Sequence, residues 1–214
     1  MLKRSFDLAI SFIGIIAASP LLILISVWIK LDSSGSVFYR GVRVGLHGKP
    51  FRIYKFRSMV INADRIGGPS TAGDDPRITR AGRLIRKFKL DELPQLINVL
   101  KGEMSLVGPR PEVQMYVDMY TEEEKAILGM RPGITDWASL WNPDEGAILA
   151  GSPDPEKTYM EVIRPEKIRL QLLYARKQSF WVDIKILMAT LLTVLGKPSR
   201  ETVGSGMVQD ESGH

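Results

Sequence analysis

The chain has 214 residues, 44% of them hydrophobic, which suffices for one ordinary core with small attachments but not for two full domains. It has no cysteine and only His47 and His214, which excludes the usual zinc sites, cysteine nucleophiles and Ser-His-Asp triads. Chemistry must rest on carboxylates, hydroxyls, Lys and Arg, with or without a hard metal ion, and a formal net charge of +5 favours an anionic partner: phospholipid, nucleotide or nucleic acid.

In chain order, residues 8–29 carry no charge and are numerous enough to cross the hydrocarbon core of a bilayer. Pro20 lacks an amide hydrogen and clashes with the carbonyl four residues back, and the Ser19 hydroxyl can bond carbonyls of the preceding turn, so a kink or turn is expected at Ser19 and Pro20. If the helix breaks there, each half is too short to span and the chain enters and leaves by one face. Lys3 and Arg4 before the segment, and Lys30, Arg40, Arg43 and Lys49 after it, place positive charge at both ends, as such a hairpin needs. A kinked spanning helix and a secretory signal peptide are the other readings of this segment alone; Pro20, directly after Ala17-Ala18-Ser19, counts against cleavage there.

Residues 37–39 and 51–56 are β-branched or aromatic and are separated by Gly41, Gly45, Gly48 and Pro50, which predicts two short strands and a turn. Residues 61–76 form a polar, Gly-rich loop, expected to be mobile and able to order over a substrate. A short basic helix is expected over 80–89 and a second over 94–100, stopped at Lys101-Gly102. Thr121 and Glu124 have capping-box spacing, so a helix is expected from Glu122 to near Gly129. Residues 165–178 alternate apolar and basic positions at helical spacing. Residues 180–195 are apolar but contain Asp183 and Lys185, and are read as a helix lying in the membrane interface or buried in the core.

Asp91 and Glu92 stand just before Pro94, a residue suited to the first turn of a helix. Acids at that position can simply cap the helix; the helix start also keeps a carboxylate ionised and attracts phosphate. Here Arg77, Arg80, Arg83, Arg86, Lys87 and Lys89 precede the acids and Arg110 follows, between Pro109 and Pro111 that fix its backbone. Acids beside so many cations point to a phosphate site, because a guanidinium holds phosphate oxygens in two parallel bonds.

These residues also carry a family resemblance. Lys3-Arg4-x-x-Asp7, Ser19-Pro20, Tyr54-Lys-Phe-Arg-Ser-Met59, Arg86-x-x-x-Leu90-Asp91-Glu92-Leu-Pro-Gln95, Asn98-Val-Leu-Lys-Gly102, Met104-Ser-Leu-Val-Gly-Pro-Arg-Pro111 and Arg131-Pro-Gly-Ile-Thr135 resemble the bacterial sugar transferases that initiate glycoconjugate assembly, the monotopic phosphoglycosyl transferases. The match runs from about Lys3 to Thr135. The resemblance implies an α+β, mostly helical fold: a re-entrant membrane hairpin over 1–31 broken at Ser19-Pro20, and a catalytic domain over 32–197 with interfacial amphipathic helices and a small β-hairpin. Residues 198–214 are expected to be a disordered tail by composition.

The same resemblance implies transfer of a sugar 1-phosphate from a UDP-sugar to polyprenyl (undecaprenyl) phosphate at the cytoplasmic face of the bacterial inner membrane, releasing UMP. Asp91 would be the nucleophile and form a covalent phosphosugar, Glu92 its partner acid, and Lys55, Arg57, Arg86, Arg110 and Arg131 the phosphate-binding residues. Mg2+ is the implied cofactor, with Asp91 its first ligand. A direct transfer with Asp91 only holding metal is the mechanistic rival, and a non-enzymatic basic binding module is the other class; no nucleic-acid partner is expected. The chain departs from the family where many members resemble Gly-Ile-Thr-Gly-Trp-Ala-Gln, having Asp136 and Ser139 in Gly133-Ile-Thr-Asp-Trp-Ala-Ser139. Residues 136–146 are therefore expected to lie near the sugar or uridine and influence selectivity, or else to be a purely structural loop.

Overall fold

The computed structural model describes residues 2–196. The tail expected over 198–214 lies outside them.

Helix α1 (Leu2–Asp32) is continuous, with Ser19 and Pro20 inside it, so the backbone does not divide into two helices at that pair as expected. The helical ladder lacks one backbone donor there. Pro20 cannot donate to the carbonyl of Ile16, and the Ser19 hydroxyl donates to that same oxygen at 2.8 Å. Both arms of α1 rest on the same body. In the first arm Lys3 donates to the Val107 carbonyl at 3.0 Å and pairs with Asp183, while the buried Asp7 accepts from the Ser105 hydroxyl at 2.7 Å. In the second arm Ile25 and Ile29 pack with Phe56, Ala81 and Ile85, and Asp32 accepts from the Ala81 amide at 3.1 Å. Phe12, Ile13, Ile16, Ile23 and Leu24 between them are exposed, and α1 is long and apolar enough to cross a membrane.

Strand β1 (Phe38–Tyr39) pairs antiparallel with β4 (Lys55–Phe56), and β2 (Val42–Val44) with β3 (Pro50–Arg52). Phe38 faces Phe56 and Val42 faces Arg52, so a single register runs through both pairs. The expected hairpin is present, with each arm interrupted once. Its tip is a 3-10 turn, Leu46–Gly48.

Residues 61–76 contain one short helix, α2 (Ala63–Ile66), and are tied down: Ala72 is buried, the Gly73 amide donates to the Gly146 carbonyl at 2.8 Å, and the Ser70 hydroxyl bonds the Tyr116 hydroxyl at 2.9 Å. Helix α3 (Arg80–Lys87) starts on a Thr79 cap that accepts from the Gly82 amide at 3.0 Å. Gly82 is required there, since a Cβ would lie 1.9 Å from the Ser58 carbonyl. Helix α4 (Gln95–Lys101) ends at Gly102 in the left-handed region, as the Lys101-Gly102 stop implies.

After α4, β5 (Ser105–Val107) pairs in parallel with β6 (Gly133–Thr135). Between them lie α5 (Gln114–Val117) and the segment capped by Thr121. The capping box forms, Thr121 Oγ1 accepting from the Glu124 amide at 3.2 Å and Glu124 accepting from the Thr121 amide at 2.9 Å. The turns that follow are 3-10, Glu124–Gly129, beginning two residues later than expected and not α-helical.

Helices α6 (Trp137–Trp141), α7 (Glu145–Leu149) and α8 (Pro155–Thr158) lead through a π turn, Tyr159–Ile163, into α9 (Arg164–Lys177). Pro165 explains the π turn: it can neither donate nor tolerate the tight carbonyl of a regular preceding turn, and the wider turn relieves both. In α10 (Phe180–Val194), Asp183 and Ile186 are buried while Trp181, Met188, Leu191 and Leu192 are exposed, so one face packs on the core and the other does not. The largest core cluster joins Phe51 and Ile53 of the hairpin region, Val99, Met104, Leu106, Tyr174 and Ile186.

Candidate active site

Asp91 and Glu92 lie in a 3-10 turn, Leu90–Glu92, that links α3 to α4. Lys89 enters it in the left-handed region (φ 55°), an uncommon conformation outside glycine that reverses the chain after α3. The reversal leaves Asp91 only 5% exposed. Two cations converge on the acids from other elements. Lys55 of β4 places its ammonium 3.1 Å from Asp91 Oδ2 and 3.1 Å from Glu92 Oε1. Arg110 meets Glu92 with both arms of its guanidinium, Nη1 donating to Oε2 at 3.0 Å and Nη2 donating to Oε1.

Burial works against ionisation of Glu92, but the charges of Arg110 and Lys55, together with their hydrogen bonds, outweigh it and hold the carboxyl well below the usual carboxylate range. The Glu92 carboxylate in turn lifts Arg110 above the ordinary guanidinium value against the effect of its burial, with smaller contributions from Glu145 and Asp136. Glu92 is thus an anion at neutral pH and holds two cations side by side. Asp91 shares one of them.

The loop carrying Arg110 is shaped by close backbone approach. A Cβ at Gly133 would lie 2.1 Å from the Gly108 amide nitrogen, and one at Gly108 would lie 2.4 Å from the Arg131 carbonyl, so both strand neighbours must be glycine. The Gly133 amide donates to the Pro109 carbonyl at 3.0 Å and the Gly108 amide to the Thr135 carbonyl at 3.1 Å.

Of the residues expected at the site, Asp91, Glu92, Lys55 and Arg110 come together. Arg57 is buried at the end of α1, where Nη2 donates to the Ser33 carbonyl at 2.7 Å and the Ser33 hydroxyl at 3.0 Å; burial lowers its pKa, partly offset by Asp32. Arg131 donates through Nε to the Gly102 carbonyl at 3.0 Å, at the far end of α4. Arg86 is in the last turn of α3, half-buried, with its charge felt at Asp75. Ser19 and Pro20 lie inside α1, as described above. Sequence reasoning placed Asp136 in a segment of interest without giving it a role, and did not single out Gln171; an acid standing where the resembling family often has glycine was the available signal for the first.

A family model described as bacterial sugar transferase matches residues 1–197. The chain belongs to the bacterial sugar transferase family. It is 39% identical over 194 residues to a UDP-N-acetylgalactosamine-undecaprenyl-phosphate N-acetylgalactosaminephosphotransferase of Aeromonas hydrophila, covering 91% of this chain and 44% of that protein. It is 38% identical over 195 residues to an uncharacterized sugar transferase of Bacillus subtilis strain 168, covering 91% of this chain and 88% of that one. It is 37% identical over 192 residues to the UDP-glucose:undecaprenyl-phosphate glucose-1-phosphate transferase of Escherichia coli K12, covering 89% of this chain and 39% of the relative. The chain thus spans less than half of two of these relatives and most of the third.

Proposed function

We propose that the chain transfers a sugar 1-phosphate from a UDP-sugar to polyprenyl phosphate, releasing UMP and forming a polyprenyl diphosphate-sugar. The observation that carries this reading is the pair of a buried Asp91 and a part-buried Glu92 with Lys55 and Arg110 set against it, in a chain similar to transferases whose names specify these substrates. An oxygen of Asp91 attacks the β-phosphorus, the bond from that phosphorus to the bridging oxygen breaks, and UMP leaves with the bonding electrons. The sugar phosphate is then an acyl phosphate on Asp91. An oxygen of polyprenyl phosphate attacks the same phosphorus and frees the Asp91 carboxylate, so the transfer is divided into two displacements by a nucleophile that needs no base. Lys55 and Arg110, held by Glu92, stabilise the charge that develops on the transferring and departing phosphates.

Mg2+ fits this arrangement as a partner of the donor rather than a caged ion. Among the described residues no group of three acidic or imidazole side chains could hold a metal, whereas Mg2+ commonly takes one or two carboxylates and fills its remaining positions with phosphate oxygens and water. Asp91 would supply the protein ligand, and the ion when bound would neutralise charge on the diphosphate.

We read α1 as bent at Ser19 and Pro20, where the helical ladder lacks one backbone donor, so that it enters and leaves a membrane by one face, with the body at the cytoplasmic surface of the bacterial inner membrane. Both arms of α1 bond to one body, charged residues mark both ends, and the outer face of α10 adds Trp181 and Leu191 to the apolar surface. Such a placement brings a soluble nucleotide sugar and a lipid phosphate to one interfacial site.

The test is UMP release from a panel of UDP-sugars with and without undecaprenyl phosphate, together with exchange of labelled UMP into UDP-sugar in the absence of lipid. Turnover with lipid and exchange without it are expected. Turnover without exchange would overturn the covalent route in favour of direct transfer, and no turnover with any donor would overturn the assignment.

A further inference from the structure

Asp136 is completely buried and accepts four hydrogen bonds. Oδ1 caps α6, accepting from the Ser139 amide at 2.7 Å and the Ser139 hydroxyl at 2.7 Å. A helix cap would need no more than that. Oδ2 does something else: it accepts from the Arg110 amide at 3.2 Å and from Gln171 Nε2 at 3.2 Å. Gln171 Nε2 also lies 3.5 Å from the Arg110 carbonyl, so the two side chains grip the main chain of Arg110 at both its polar groups.

The sequence makes this grip unusually decisive. Pro109 and Pro111 have no amide hydrogen, so across residues 109–111 the Arg110 N–H is the single backbone donor, and the flanking rings fix φ on either side. The orientation of the residue that carries the guanidinium is then set by where that one N–H is bound. On the same face of α9, Lys167 pairs with Glu112 at 2.7 Å and Tyr174 reaches the Val107 carbonyl at 3.4 Å, so α9 braces the loop before and after Arg110 as well.

We propose that Asp136, held by Gln171 of α9, is a positioning residue for the transfer reaction: it aims Arg110 at Glu92 and at the phosphate of the donor, and does not itself touch the sugar. This inference rests on the proposed transfer reaction for its consequence, but its geometry can be tested without turnover. Because both neighbours of Arg110 are proline, amide hydrogen exchange reads the Arg110 N–H free of adjacent signals. In the full-length protein in detergent or nanodiscs, Asp136→Asn is expected to speed Arg110 exchange by about tenfold or more while residues 105–107 keep their protection. Unchanged Arg110 exchange overturns the inference whether or not turnover is seen.

For the reaction, a double-mutant cycle separates aiming from general destabilisation. Asp136→Asn is expected to lower kcat/KM for UMP release about tenfold in the wild-type background and less than twofold in an Arg110→Ala background. Ser139→Ala, which removes one cap contact and leaves Oδ2 in place, should stay within twofold of wild type. Equal losses from Asp136→Asn in both backgrounds would overturn the aiming role. If that variant fails to fold, Gln171→Leu keeps the α6 cap and carries the same cycle and the same exchange measurement.

Discussion

The ammonium of Lys55 lies 3.1 Å from Oδ2 of Asp91, although the two residues come from a β-hairpin and a turn between helices. Lys55 is also the second cation on Glu92, so its removal leaves two adjacent acids with Arg110 alone. Lys55→Met is expected to reduce kcat for UMP release by about a hundredfold, in the range seen when an electrostatic partner of a developing charge is lost. Steady-state kinetics at saturating UDP-sugar decide this, and a loss confined to KM would contradict a role in the chemical step.

Arg110→Ala should lower stability by about 2 kcal/mol, less than for a fully buried pair because the Arg110 side chain is 30% exposed. Arg110→Lys keeps the charge but loses the fork that meets both Glu92 oxygens, so it should recover part of the stability and little of the activity. Thermal melting and UMP release measured on both variants provide the comparison; full activity in the lysine variant would refute the need for a two-armed contact.

The depressed pKa of Glu92 links stability to pH in a defined direction. Its folded value lies below the ordinary 4.5, so its contribution is fully present above that pH and is lost as the pH falls through the folded value. The stability difference between wild type and Glu92→Gln should therefore be flat from pH 7 to about 5 and shrink at more acid pH. Denaturation at a series of pH values measures it, and a difference that widens on acidification would show that the carboxylate is not stabilised by its neighbours.

Ser19 supplies the hydrogen that Pro20 cannot give to Ile16. Ser19→Ala should leave that carbonyl unpaired in an apolar setting and destabilise the arm by about 1 kcal/mol, and adding Pro20→Ala should restore it by returning the backbone donor. In the one-face reading, a reporter at the N-terminus of wild type is cytoplasmic; labelling of that reporter from the periplasm alone would end that reading.

Much of this was legible because it is local. Thr121, Gly102 and Pro94 mark starts and stops through bonds that span only a few residues, and the helices expected over 80–89 and 94–100 form over 80–87 and 95–101. The pairing of Asp91 and Glu92 with Arg110 was legible from the chemistry of a proline-flanked arginine near adjacent acids. Where Arg57 and Arg131 sit was not legible by that logic, because a guanidinium serves the carbonyls of Ser33 and Gly102 as readily as a phosphate, and only tertiary contacts decide between them. The same holds for Thr121: its capping box is local and forms, but the 3-10 form of the turns that follow depends on packing of Ile127 against Val44 and Ile168. Where α1 passes through Pro20, the Ser19 hydroxyl takes the carbonyl that proline leaves without a backbone donor, a bond that the motif Ser-Pro permits but does not require.

Lys3 and Asp7 are bound to Asp183 and Ser105, which are added to the chain long after them. In the one-face reading, the apolar remainder of α1 can enter lipid before residues 105 and 183 are made, while Lys3 and Asp7 at its head carry charges whose partners do not yet exist. Those charges keep the head in contact with water, where it waits to be clasped. Helix α10 follows much later in the chain and closes the clasp through Asp183, with Tyr174 donating to the other carboxylate oxygen at 2.6 Å. In the one-face reading, synthesis of α10, rather than insertion of α1, is then the event that locks α1 to the body that carries Asp91.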